Sequence, residues 1–308
     1  MNNPIRIGTR DSQLALWQAN KVLQLLSLQG HTCELVLIKS DGDTDLVTPL
    51  YELGVQGVFT KTLDAALLSG RIDIAVHSMK DVPTQLAKGI SEAAILERAS
   101  HKDILVHKGE TSFLSNPASV ATIATSSVRR RAQWLYKYPN HEMVNIRGNV
   151  NTRLRKVQDN NWQGAIFAAA GLERIELRPE NSMELDWMLP APAQGAILVV
   201  CREEDFATKE KCLALHHSPT AICVKAERDF LRTLMGGCST PISAWARIEN
   251  SQLRFTGNIT TPNGKESLTI DKTTHPDSTT VGIEAAKELI ANAGNNILEL
   301  IQSRQNNG

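Results

Sequence analysis

Between residues 5 and 175 the chain keeps repeating one local pattern. A short apolar run with strand character leads into Thr, Ser, Asn, Asp or Arg, and helical spacing of apolar residues follows. Strands alternating with helices at this spacing specify an α/β sheet, and this constrains the fold more than any other feature. Ile5-Arg6-Ile7-Gly8 runs into the turn Thr9-Arg10-Asp11-Ser12, and Leu14, Trp17, Val22, Leu25 and Leu26 then share one helical face. A second strand is expected over residues 33–39, and the polar run 40–45 reads as a loop. Gly54-Val55-Gln56-Gly57 precedes a helix carrying Phe59, Leu63, Ala66 and Leu67. The strand over 71–76 delivers Ser78, Met79, Lys80, Asp81 and Pro83 just past its carboxyl end, where open α/β sheets bind ligands.

A second α/β unit repeats the pattern, with strands over 104–106, 120–124, 144–146 and 164–168. Thr125-Ser126-Ser127 is placed to cap a helix containing Arg129, Arg130 and Trp134, and Asn151 or Thr152 one containing Arg153, Leu154 and Val157. The prolines of Leu189-Pro190-Ala191-Pro192 fix a connection into an apolar strand, 196–201, that is able to cross back into an earlier sheet. Ser218-Pro219 opens a helix, and strands over 242–248, 253–257 and 268–270 with helices over 281–291 and 297–301 form a separate α+β tail. A length of 308 residues suits two or three domains. Neither a secretory stretch at Met1-Asn2-Asn3-Pro4 nor an uninterrupted run of 18 apolar residues is present, so a cytosolic address without membrane contact is expected.

Formal net charge is zero, yet residues 128–156 carry Arg129, Arg130, Arg131, Lys137, Arg147, Arg153, Arg155 and Lys156 against Glu142. That asymmetry marks a local site for an anion, since guanidinium forks suit carboxylates and phosphates and helix starts present free N–H groups. Any one of these arginines is also well explained as a solvated surface charge. Arg10, Arg129, Arg130, Arg147, Arg153 and Arg174 all fall at strand exits or helix starts, which favours a shared site. Aromatics make up only 5% of the chain, with no aromatic-basic alternation, so nucleic acid is the poorer partner. No nucleotide-binding glycine motif occurs either. A small multivalent carboxylate fits better.

Asp81 is either a catalytic carboxylate or a turn-stabilising residue before Val82-Pro83, and His77 is more readily a packed histidine than a base. Of Cys33, Cys201, Cys212, Cys223 and Cys238, none is spaced as CxxC, which excludes a disulfide framework and a zinc knuckle; no metal is expected. Cys238, in Gly236-Gly237-Cys238, is a nucleophile or a covalent attachment point.

Seven ordered stretches carry a family resemblance: IGTRDSQLALWQA at 7–19, IDIAVHSMKDVPT at 72–84, ATSSVRRRAQ at 124–133, RGNVNTRL at 147–154, AAAGLERI at 168–175, PAPAQGAI at 190–197 and GGCSTPI at 236–242. In these the chain resembles the hydroxymethylbilane synthases, also called porphobilinogen deaminases. The resemblance implies two lobes like those of periplasmic binding proteins plus a small C-terminal α+β domain. The domains would be 5–98 with 196–214, 102–191, and 218–306, with the active site in the cleft between the lobes. It implies a monomer that joins four porphobilinogen molecules head to tail with loss of ammonia and hydrolytic release of hydroxymethylbilane. The primer would be a dipyrromethane cofactor held by a thioether at Cys238. Each pyrrole brings an acetate and a propionate, so the growing linear pyrrole chain is a polyanion that the arginines would match.

By the same resemblance Asp81 is the central catalytic residue, assisting departure of the aminomethyl nitrogen and stabilising the cationic methylenepyrrolenine. Arg10, Arg147 and Arg153 serve catalysis and, with Ser12 and Arg174, incoming substrate. Lys80, Arg129 and Arg130 serve mainly cofactor carboxylates, alongside Asp81, Ser78, Thr125, Ser126, Ser127, Arg147 and Gly148. The chain departs from the commoner family pattern at Gln56, where lysine is frequent, and at Glu52, where some members are basic; an altered carboxylate-binding set in the 40–56 loop is therefore an open reading. Two competitors stand beside this one: a two-lobed anion-binding protein without catalysis, and a nucleic-acid module.

Overall fold

A computed structural model describes residues 3–39, 60–116, 118–234 and 240–305. In chain order the first elements are β1 (Ile5–Thr9), α1 (Gln13–Leu28), β2 (Cys33–Leu37), α2 (Lys61–Leu68), β3 (Ile74–Ser78) and β4 (Ile90–Ile95). Then come β5 (Asp103–His107), β6 (Thr122–Ala124), α3 (Val128–Lys137), β7 (Glu142–Val144), α4 (Val150–Asp159), β8 (Gly164–Ala168), α5 (Ala169–Glu173) and β9 (Ser182–Glu184). The chain continues through β10 (Ile197–Arg202), α6 (Phe206–Cys212), α7 (Ser218–Thr233), β11 (Ile242–Glu249), β12 (Gln252–Thr260), β13 (Ser267–Thr274), α8 (Val281–Ala291) and α9 (Asn295–Gln305). The described residues fall into two compact units: those up to Ala99 together with Gly195–Ala221 form one, and Ser100–Gln194 together with those from Ile222 onward form the other.

The first unit holds a five-stranded sheet in the order β2-β1-β3-β10-β4. β1 is parallel to β2 and β3, whereas β10 runs antiparallel between β3 and β4, so the apolar strand after the proline-fixed connection does return to the earlier sheet. Ile5, Ile7, Ile74, Val76, Ile197 and Val199 pack with Ala19, Val22 and Leu26 of α1, each buried Ile, Val or Leu side chain being worth about 1.5–3 kcal/mol. Arg202 ends β10, donating to the Leu67 and Ile72 carbonyls at 3.1 and 2.8 Å and pairing with Asp205 at 2.7 Å.

The second unit contains two sheets. One, in the order β7-β6-β8-β5-β9, repeats the first unit's plan: three parallel strands, then an antiparallel strand, then an edge strand. The other is the antiparallel meander β11-β12-β13, whose core includes Phe230 of α7 against Phe255 of β12, ring centroids 5.3 Å apart and tilted 60°. α8 passes so close to α7 that a Cβ on Gly282 would lie 2.0 Å from the Ala226 carbonyl oxygen. Gln133 of α3 donates to Ser243 Oγ at 2.9 Å and to Leu189 O at 3.0 Å, joining the two sheets of this unit. Glu227 of α7, fully buried, accepts from the Ala193 and Ala246 amides at 2.6 and 2.7 Å.

Three differences from the sequence expectations have local causes. Asn149, not Asn151 or Thr152, caps α4, its side chain accepting from Thr152 N at 3.0 Å, so the helix starts earlier. β12 and β13 outrun the expected 253–257 and 268–270 because their exposed faces are polar, as in Thr269, Asp271 and Thr273, while the ladder continues. β4 and β9 had no expectation: β9 is a three-residue edge, and in β4 the Ser91-Glu92-Ala93 stretch blurs any apolar run.

Candidate active site

Parallel strands end at the same edge of a sheet, and this gathers the chemistry-bearing residues of each unit. In the first unit β1 exits into Arg10 and Ser12, and its neighbour β3 exits into Ser78, Lys80 and Asp81. Ser12 caps α1, accepting from Ala15 N at 3.4 Å. Ser78 exchanges hydrogen bonds with the Gln18 amide, Gln18 Nε2 donating at 2.8 Å, which fixes the strand end against α1. Lys80 and Asp81 share the 3-10 turn Met79–Asp81, anchored by buried Met79, with Asp81 exposed and Lys80 half-buried. His77, one residue inside the strand, is buried; desolvation first and the positive charge of Arg10 second pull its pKa down to about 4. It is neutral at physiological pH and behaves as the packed histidine anticipated.

In the second unit the exits of β6, β7 and β8 lie side by side, Ala124 in register with both Val144 and Ala165. Past β6, Thr125 accepts from Ser127 N at 3.2 Å and Ser127 caps α3 by accepting from Arg130 N at 3.4 Å. Ser126 donates to Ile146 O at 2.8 Å and accepts from Ile146 N at 3.0 Å, tying this exit to the one that carries Arg147. Past β7, Gly148 adopts φ +110°, and its carbonyl accepts from Arg153 Nε at 2.7 Å. A Cβ there would meet Thr152 Cγ2 at 2.7 Å, so the turn requires glycine. Arg147 is nine-tenths buried. Arg174 follows α5 past β8, and burial lowers its pKa to about 10, which leaves it charged at neutral pH.

Arg129 and Arg130 are 4% and 7% exposed and meet a carboxylate the sequence reading did not single out. Asp103, fully buried at the start of β5, lies 2.7 Å from Arg129 Nη2 and 2.7 Å from Arg130 Nη2. Arg130 also donates through Nε to Asp103 at 3.1 Å and through Nη1 to Ile166 O at 3.0 Å, and Arg129 Nη1 donates to Leu189 O at 2.6 Å. Burial lowers the Arg129 pKa while the Asp103 carboxylate opposes that shift. Two guanidiniums against one carboxylate leave the triad at a net charge of +1. Arg129 Nε is buried without a hydrogen-bond partner among the described residues. A buried excess of positive charge with an unused donor suits an anion bearing several carboxylates, so the donor set fits the cofactor that the resemblance implies.

Cys238, Gln56, Glu52 and the 40–56 loop lie outside the described residues. The other cysteines pack inward: Cys201, Cys212 and Cys223 are buried and Cys33 half-buried. Burial pushes the Cys33 and Cys201 thiols up and the Cys212 thiol to about 12. Among the described residues no group of three His, Cys, Asp or Glu side chains converges as metal ligands would, and no helix is long and apolar enough to cross a membrane.

Two family models match consecutive parts of this chain. One, described as the dipyrromethane cofactor-binding domain of porphobilinogen deaminase, spans residues 5–210; the other, the C-terminal domain of the same enzyme, spans 221–291. The chain belongs to the porphobilinogen deaminase family. Among its relatives, the porphobilinogen deaminase of Geobacter sulfurreducens is 42% identical over 98% of this chain and 96% of its own length. That of Pelobacter propionicus is 40% identical over 98% of both. Likeness to solved structures is remote: the methionine binding protein MetQ overlaps 68% of this chain and 88% of its own at 14% identity and a TM-score of 0.43. Membership in a family of deaminases removes the basis for the non-catalytic and nucleic-acid readings.

Proposed function

We infer that this chain is a hydroxymethylbilane synthase: it condenses four porphobilinogen molecules head to tail on a dipyrromethane primer and releases the linear product by hydrolysis. What carries the reading is the pair of family matches that together span most of the chain. The exposed Asp81 beside Lys80 and the basic edge past β6, β7 and β8 supply side chains of the right chemistry.

The primer, when bound, supplies a nucleophilic pyrrole α-carbon. Asp81 assists protonation of the aminomethyl nitrogen of porphobilinogen, so that the C–N bond breaks and ammonia departs. The Asp81 carboxylate then stabilises the cationic carbon left on the substrate. The α-carbon that the bound primer would supply takes up that carbon with release of one proton, and Asp81 would then be available for the next round. Arg10, Arg147 and Arg153 orient substrate carboxylates, with Ser12 and Arg174 beside them. Lys80, Arg129 and Arg130 neutralise primer carboxylates. Ser78, Thr125, Ser126, Ser127 and Gly148 set the backbone at the strand exits, whatever direct contacts they add.

Cys238 is the proposed attachment point. The four described cysteines are packed into cores, and raised thiol pKa values at Cys33, Cys201 and Cys212 disfavour the thiolate there. Three separate sheets are consistent with domains over 5–98 with 196–214, 102–191 and 218–306. A monomer acting in the cytosol completes the proposal. Protein made with porphobilinogen present should gain the mass of two porphobilinogen units less two ammonia molecules, and Cys238→Ala protein should not. Unchanged porphobilinogen consumption by primer-loaded Asp81→Ala protein would refute the mechanism.

A further inference from the structure

Asp103 takes no part in the chemistry described above, yet it organises the most buried charge cluster of the second unit. It is fully buried, each of its oxygens lies 2.7 Å from a different guanidinium, and Gln194 Nε2 adds a hydrogen bond to Oδ1 at 2.9 Å. Gln194 itself is completely buried and also donates to His101 O at 2.8 Å, so the carboxylate is held from the connection that precedes β10. β5 runs antiparallel to β8, with Asp103 in register with Ala168, which brings this acid to the edge where β6, β7 and β8 end.

We propose that Asp103 is a positioning residue that serves as the resident counterion of Arg129 and Arg130, holding both forks in place before the primer's carboxylates arrive and sharing them afterwards. The inference rests on the reading of Arg129 and Arg130 as primer-binding groups. A buried guanidinium pair needs a negative partner in the primer-free chain, and one carboxylate is the least that keeps it folded while retaining net attraction for a polyanion. Removing that carboxylate therefore harms the primer-free chain most, because in the loaded chain the primer supplies replacement charge.

The test compares unfolding temperatures of primer-free and porphobilinogen-loaded full-length protein, with loading verified by intact mass, for the native chain and Asp103→Asn. Loss of one partner from a buried pair predicts a drop on the order of 10 °C without primer. With primer the drop should be about half as large, so loading stabilises the variant more than the native protein. Gln194→Leu, which keeps every charge of the triad but removes the hydrogen bonds of the Gln194 amide, the one to Asp103 among them, should show the same asymmetry at smaller size and carries the test if Asp103→Asn does not accumulate. Equal drops in both forms would reduce Asp103 to a core residue and overturn the proposal while leaving primer binding intact. A native protein that gains neither mass nor stability from porphobilinogen would instead remove the reading beneath it, and the proposal with it.

Discussion

A methyl group on residue 148 would press to 2.7 Å from Thr152 Cγ2 on a backbone already at φ +110°, between the two arginines assigned to substrate. Gly148→Ala is expected to cost about 1–3 kcal/mol of stability and to lower turnover as well, because the same turn orients Arg147 and Arg153. Arg147→Leu should separate these effects, cutting kcat/KM by roughly 10- to 100-fold, the value of a charged hydrogen bond, with a smaller change in unfolding midpoint. Parallel losses of folded protein and activity in Arg147→Leu would assign that side chain to the fold. His77 gives a pH signature. Its folded pKa of about 4 lies below the ordinary 6.5, so the unfolded chain takes up a proton first as pH falls. The stabilisation is complete above pH 6.5 and is lost between there and about 4, on the order of 3 kcal/mol in total. Urea midpoints of His77→Gln should lack that part of the decline. Residue types and their positions at strand exits were readable from the sequence, but the partner of Arg129 and Arg130 was not. Asp103 is 27 residues from Arg130, on strand β5 where Arg130 is on helix α3, and only the tertiary packing of strand and helix brings them together.

Elements beginning with a polar cap after an apolar run were the most legible, as with Ser12 before α1 and Ser127 before α3. The cap of α4 was misplaced by two residues or more because Asn149, Asn151 and Thr152 all offer the required oxygen, and it is Asn149 that has the extended backbone of a cap and accepts from Thr152 N. Asn149→Ala should therefore lower the midpoint of a thermal melt by the loss of about 1 kcal/mol. β4 and β9 escaped because a strand's identity there depends on the neighbour that pairs with it and not on its own alternation.

At the level of the whole molecule, the repetition of an α/β unit was legible from alternation and the return of β10 was foreshadowed by the prolines before it, whereas the shared strand order of the two sheets was not, since it includes β4 and β9. How buried Glu227 joins α7 to the Ala193 amide and to β11 was not legible, since a lone glutamate in a helical pattern reads as surface. The β10 crossover also sets a timetable. Every strand of the β5–β9 sheet is synthesised, and so leaves the ribosome, ahead of β10, while among the described residues β4 pairs within its sheet only with β10 and must wait about a hundred residues for it. A nascent-chain arrest series should record closure of the sheet encoded in the middle before that of the one encoded first. Until then the exposed flank of β3 is an open sticking point, and translation speed across residues 100–200 becomes a determinant of yield.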